Sequence, residues 1–431
     1  MKQSLPFRIP LDREHASCVV FTVIAILGLA MQLGTIRGQT APRWVGSWMA
    51  APCAPAEVEP RSDQFHLQDE TIRQIVHLSA GGVGLRLRFS NLFGATSLVV
   101  RSVHVAIRRN ADGIDPQTDV AVKFSGSDEI TIAPGKTVLS DAVNFPSEAH
   151  TDLAVSFFVP GKVTAPAIHY TALQTSYYAS GNQTSAISLE RPSKTTLWMI
   201  LDGVDVASRT APGAIVAVGS STTDGSHSTP NQNRRWTDDL FRRLVEARAA
   251  AAPAVLNDGI SGNRVLHDGR GSWGSVWGES AASRFQRDVL SQSGIEAVVI
   301  FEGGNDIRQP GSGAVPLSES VSPKQLIAGF EWMARVAHER RVKVIVGTIT
   351  PFEHADANRE EDPVWEQTRQ AFNQWARTAK TIDGVFDFDA AIRDPHHPAR
   401  ILPDYDSGDH LHPNDAGYKA MADSIDLSLI P

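Results

Sequence analysis

The chain has 431 residues, of which 42% are hydrophobic and 20% charged, and it carries a formal net charge of −8. That length suits two domains of about 100–200 residues, each with a full core, and an acidic balance without a basic run excludes nucleic acid as the expected partner. With only Cys18 and Cys53 present, a disulfide framework or a cysteine-rich metal site is excluded in the mature chain.

Residues 1–41 read as a targeting segment. No charged residue lies between Ala16 and Ile36, the run Cys18–Met31 is apolar, and Lys2, Arg8 and Arg13 precede it. This is the pattern of a secretory signal peptide with a long basic leader. The uncharged stretch also just reaches the ~20 residues of a signal anchor, and Ile36-Arg37-Gly38 offers only a weak cleavage site. Either way the expectation is export to the periplasm or the medium, with membrane contact confined to this segment.

Residues 42–207 read as strands. Val83, Leu85, Leu87 and Phe89 alternate with Gly84, Arg86, Arg88 and Ser90, a period of two with one apolar face. Gly81-Gly82 suits a hairpin turn after Thr71–Leu78. Val103, Val105 and Ile107, then Val120, Val122 and Phe124, then Leu153, Val155, Phe157 and Val159 repeat the pattern. The expectation is an antiparallel β-sandwich of jelly-roll type.

The period changes near Ala211-Pro212-Gly213. Residues 208–431 alternate short apolar runs with amphipathic helices. The runs are Ala214–Val218, Ala254–Leu256, Ala297–Phe301, Val342–Ile349 and Val385–Phe388. The helices are expected near Arg235–Ala251, Pro323–Arg340, Pro363–Lys380 and from Asn414 to the C-terminus. Such alternation implies an α/β domain with a parallel sheet covered on both faces. Ligands bind such sheets at the carboxyl ends of the strands, so the residues that follow each strand matter most.

Gly219-Ser220-Ser221-Thr222-Thr223-Asp224-Gly225 follows the first strand and offers a hydroxyl at a turn. Asn257-Asp258-Gly259-Ile260-Ser261-Gly262-Asn263 follows the second, where a glycine lets a backbone N–H approach a ligand closely. Glu302-Gly303-Gly304-Asn305-Asp306 follows the third, and the Asn305 amide can donate to a developing oxyanion. Asp409-His410-Leu411-His412-Pro413 follows the fifth and pairs an imidazole with a carboxylate three residues earlier. Each loop alone also reads as an ordinary turn. Together they supply a nucleophile, oxyanion donors and an Asp–His pair.

In this order the four segments resemble the blocks of the SGNH hydrolases, also called GDSL esterases and lipases. Gly219-Ser220-Ser221 with Thr223-Asp224-Gly225 matches the first block, Gly262 the second, Gly303-Gly304-Asn305-Asp306 the third, and Asp409, His412 and Pro413 the last. The resemblance implies a flavodoxin-like three-layer domain with Ser221, His412 and Asp409 as the triad. It also implies an oxyanion hole of the Ser221 N–H, the Gly262 N–H and the Asn305 side chain, with no cofactor and no metal. One position departs. The family's Asp before the nucleophile is Ser220 here, so two adjacent hydroxyls compete, and the frame with Thr223, Asp224 and Gly225 selects Ser221. The stretches Trp44-Val45-Gly46-Ser47-Trp48 and Arg88–Gly94 are similar to a β-domain that precedes the hydrolase domain in some bacterial members. The function implied is hydrolysis of carboxylic esters, short-chain or carbohydrate acetyl, on a small-molecule or polysaccharide substrate. An O-acyltransferase using the same triad, and a non-catalytic carbohydrate-binding protein with a vestigial site, are the alternatives. Trp236 and Trp273 are placed either at the cleft or in the core. His396-His397 reads as a solvated loop rather than a metal site.

Overall fold

The computed structural model describes residues 41–56, 66–270, 273–355 and 363–431. The targeting segment, with Cys18, lies outside the described residues. Cys53 is a free, buried thiol; among the described residues no helix is long and apolar enough to cross a membrane.

The period-two segments form two antiparallel sheets. In the first, β1 (Arg43–Met49) pairs with a late strand, Leu201–Ser208, which pairs in turn with β3 (Gly82–Asn91). The second contains β2 (His66–His77), β4 (Leu98–Asn110) and β5 (Asp152–Thr164), with β5 between the other two. Alternation explains how the sheets face each other. Leu85, Leu87 and Phe89 of β3 are fully buried, and the Phe89 ring meets Phe157 of β5 edge-on, centroids 5.3 Å apart, and Phe124 at 5.7 Å.

The expected hairpin at Gly81-Gly82 does not form. β2 and β3 lie in different sheets and are not paired. The two glycines serve close packing where the chain crosses between sheets: a Cβ on Gly81 would lie 2.4 Å from the Ser147 carbonyl oxygen, and one on Gly82 2.7 Å from that of Ala207.

The second half forms a parallel sheet of β6 (Ala214–Gly219), β7 (Ala254–Gly259), β8 (Ile295–Phe301), β9 (Lys343–Gly347) and β10 (Gly384–Phe386). The spatial order is β7-β6-β8-β9-β10, every pair parallel. This is the doubly wound flavodoxin-like order, whose switch point lies beside the first strand. Alternate residues of β6 enter different cores. Ile215 and Ala217 pack with Trp236, Leu240, Tyr418 and Met421, whereas Val216 and Val218 join the cluster of Phe330 and Phe372. Helices cover both faces, among them Trp236–Arg248, Pro323–Glu339 and Pro363–Thr378. The second of these begins with a Ser322–Gln325 capping box and Pro323 in its first turn.

Several element ends differ from expectation, as in the second strand, which runs on to Gly259, and the fourth, which spans only Lys343–Gly347. The last strand stops at Phe386, because Asp387 caps a short helix, Phe388–Ile392. The last helix covers only Asp415–Asp423, after which Asp426 caps a 3₁₀ turn. In each case a carboxylate caps the element that follows.

Between Ser208 and Ala214 the chain passes from the last antiparallel strand to the first parallel one, and residues 42–431 form one compact unit. The polar face of β3 supplies part of the joint. Arg86 pairs with Asp205 at 2.9 Å and reaches Ser293 at 3.1 Å, and Arg88 pairs with Asp202 at 2.9 Å and reaches Gln292 at 2.9 Å. Burial raises Asp202 to about 6 against the lowering influence of Arg88. We expect Phe89→Ala to cost about 3–5 kcal/mol of stability, read as a lower denaturant midpoint; an unchanged midpoint would show that the two sheets do not depend on this ring.

Candidate active site

The loops at the carboxyl edge of the parallel sheet converge. Ser221 opens a single helical turn, Ser221–Asp224, directly after β6. Its Oγ lies 2.8 Å from His412 Nε2 across 191 residues of sequence. His412 Nδ1 lies 2.6 Å from Asp409 Oδ2. Asp409 folds back as its spacing predicts: its Oδ1 accepts the backbone N–H groups of His412 at 2.8 Å and Leu411 at 3.0 Å, and the Ser407 hydroxyl at 3.0 Å. Burial would raise this carboxyl, but the hydrogen bond and charge of His412 and the two backbone donors hold it well below the usual carboxylate range. The ionised form of Asp409 is therefore favoured beside the imidazole.

Of the two adjacent hydroxyls, it is Ser221 that meets His412. Asn305 lines the same cleft as Ser221, and Asp224, at the end of the Ser221 turn, binds Ser261, the neighbour of Gly262. Gly262 has φ +84°, and a Cβ there would lie 2.0 Å from Trp277 Cδ1, so only glycine fits the turn. Among the described residues no protein acceptor takes the Ser221 or the Gly262 N–H. Asn305, buried in a short helix Gly304–Arg308, gives one amide hydrogen to the Asn263 carbonyl at 2.9 Å. Its amide has a second. Ser221, Asn305, Glu302, Thr350 and Phe352 line one small cleft. Another cleft, between the sandwich and helix Trp236–Arg248, does not reach Ser221.

Buried carboxyls brace this edge. Asp306 accepts the Val265 N–H at 2.8 Å and the Leu266 N–H at 3.1 Å, which ties the Asn305 helix to the loop beyond Gly262. Burial pushes it up to about 6 in spite of those two donors. Glu302 is 2% exposed, and its Oε1 has no protein partner. Burial, then the charge of Asp306, drive its pKa well above the ordinary value, and Arg284 only partly opposes them.

Four neighbours of these groups are not singled out by the sequence. Glu302 reads only as part of a loop, and Asp224 only as part of a motif. His169 lies in the β-rich half, where nothing in the sequence marks it. His227 follows the first block, and its ring stacks on His412 with centroids 5.2 Å apart while its Nε2 lies 3.2 Å from Asp409 Oδ2. His227, Asp409 and His412 are the one group among the described residues able to converge on a metal ion. An ion there would draw Asp409 and His412 out of the chain to Ser221. His396 and His397 are exposed and belong to no such group. Trp236 is a core residue, fully buried, while Trp273 is 44% exposed and stacks on Trp277 with centroids 6.3 Å apart and planes 12° from parallel.

A parallel α/β sheet with a hydroxyl, an imidazole and a carboxylate aligned at its carboxyl edge is the architecture of a serine hydrolase. Residues 217–420 match the GDSL-like lipase/acylhydrolase family. The C-terminal half is thus a GDSL-like acylhydrolase domain of the SGNH type, preceded by a β-rich region, and the protein is an acylhydrolase of the carboxylic ester hydrolase type. Comparison with curated proteins finds no match. Among solved structures, a GDSL-like lipase from Bacteroides thetaiotaomicron is 19% identical over 50% of this chain and 87% of its own, with a TM-score of 0.35. An acetylxylan esterase from Geobacillus stearothermophilus is 20% identical over 51% of this chain and 95% of its own, with a TM-score of 0.37.

Glu302 yields a prediction with a definite sign. A carboxyl whose pKa is raised by folding holds its proton more tightly in the native state, so stability falls as pH rises above the unfolded value of about 4.3. Glu302→Gln removes that slope. The melting temperature of the variant minus that of the wild type should therefore grow between about pH 4 and pH 8. A difference that stays flat with pH would show that Glu302 is not held neutral.

Proposed function

We propose that the protein is an exported esterase that cleaves short-chain acyl esters of carbohydrates through an acyl-enzyme on Ser221. The observation that carries the reading is the unbroken chain from Ser221 Oγ through His412 to Asp409, with contacts of 2.8 and 2.6 Å. His412 Nε2 takes the Ser221 proton as Oγ adds to the ester carbonyl. The Ser221 and Gly262 N–H groups and the Asn305 amide receive the negative charge on the carbonyl oxygen, and loss of one such donor typically costs about 10²–10³ in kcat. His412 then passes its proton to the departing alcohol. Water, deprotonated by the same nitrogen, releases the acid and restores Ser221.

Two features support the finer substrate. The cavity beside Ser221 is walled by Ile349, Thr350, Phe352 and the Glu302 carboxyl, which suits a small acyl group better than a long chain. Trp277 packs on Gly262, and Trp273 extends that aromatic surface outward with an exposed face. A planar indole beside the oxyanion loop suits the apolar face of a sugar ring in the alcohol portion. Export rests on the uncharged stretch from Ala16 to Ile36.

Ser221→Ala should abolish turnover of p-nitrophenyl acetate and labelling by a fluorophosphonate while the protein stays folded; retained turnover would remove Ser221 from the chemistry. Trp273→Ala should lower kcat/KM about tenfold on acetylated xylo-oligosaccharides, the size of one aromatic contact, and leave p-nitrophenyl acetate unchanged. Equal effects on both substrates would overturn the carbohydrate assignment.

A further inference from the structure

His169 belongs to the β-rich half, in the two-residue strand Ile168–His169. It is 5% exposed and meets Asp224, which is 2% exposed and ends the helical turn that Ser221 begins. His169 Nε2 lies 2.9 Å from Asp224 Oδ1, and His169 Nδ1 lies 3.1 Å from the Ala51 carbonyl oxygen. Both ring nitrogens face acceptors, so an N–H on either one has a partner in place. Trp198 stacks on the same ring with centroids 5.4 Å apart, and the Arg235 guanidinium, 2.8 Å from the Asp224 carbonyl oxygen, closes the other side of that turn.

The second carboxylate oxygen of Asp224 accepts the Ser261 N–H at 2.9 Å and the Ser261 hydroxyl at 2.7 Å. Gly262 is the next residue. One buried carboxylate therefore joins the turn that carries the Ser221 hydroxyl to the turn that carries the Gly262 N–H. The Thr171 hydroxyl, also from the β-rich half, reaches Ser261 at 3.0 Å. A buried carboxyl needs hydrogen-bond partners, and one of those of Asp224 comes from the other half of the chain.

We propose that His169 is a positioning residue for hydrolysis: through Asp224 it sets the placement of the nucleophile relative to the oxyanion loop, and so makes the β-rich region part of the catalytic machinery. The inference rests on the ester-hydrolase reading above. The test uses the full chain with His169→Ala, Asp224→Asn and the double variant on p-nitrophenyl acetate. A misplacement of about an ångström costs on the order of 10²-fold, so each single variant should lose between about tenfold and a hundredfold in kcat with KM within about twofold. The double variant should lose no more than either single one, because both remove the same link. A folded His169→Ala with wild-type kcat, a loss confined to KM, or additive losses would overturn the proposal. Nitrogen-15 spectra of the unsubstituted protein give a readout independent of folding in the variants, with a hydrogen-bonded N–H expected on His169 Nε2. A ring with no N–H on Nε2 overturns the pairing whatever the turnover. Absence of wild-type turnover with that N–H present would instead count against the esterase reading alone.

Discussion

The contact between Ser221 and His412 sets the terms for the rest of the molecule. It joins residues 191 apart at 2.8 Å, and neither residue has a local reason to approach the other. Parallel pairing supplies the reason. When neighbouring strands run the same way, all of their carboxyl ends lie on one edge. Loops that follow β6, β7 and β8 then open towards a common crevice, and the C-terminal loop can close over it.

Convergence alone does not give the ångström placement that acyl transfer needs. Buried polar links supply that. Asp306 holds the loop after Gly262 through two backbone N–H groups. Asn263 accepts from Asn305 on its carbonyl and from the buried Arg284 on its side chain, which also pairs with Asp258. Each link is costly to leave unsatisfied at this depth. They fix the loop around Gly262 from behind.

The β-rich half is integrated with this edge. Arg86 and Arg88 bind the loop before β8, Gly46 donates to the Ser293 carbonyl at 2.9 Å, and His169 reaches the turn that begins at Ser221. A strand face that the sequence presents as polar is thus a joint, with its charges paired inside the chain. The same reasoning explains the shared core, in which Val45 and Trp48 cluster with Val216 and Leu256.

Much of this was legible in the amino-acid sequence. Period-two alternation marked Leu85, Leu87 and Phe89 as an inner face, and strand–helix alternation marked the parallel sheet, because burial acts residue by residue. The local motifs around Ser221, Gly262, Asn305 and His412 were visible for the same reason: a turn conformation or a three-residue return from Asp409 is written within a few positions. Pairing between distant strands is not local. Gly81-Gly82 looks like a hairpin turn by composition, and only packing against Ser147 and Ala207 reveals a crossing between sheets. His169, Glu302 and His227 carry no signal of their own, since a side chain's partner and its depth arise when remote segments meet. Chain chemistry determined which groups this protein holds and which short turns present them; tertiary structure decided which hydroxyl faces the imidazole and which buried charge answers Asp224, because those contacts exist only once the two halves have packed.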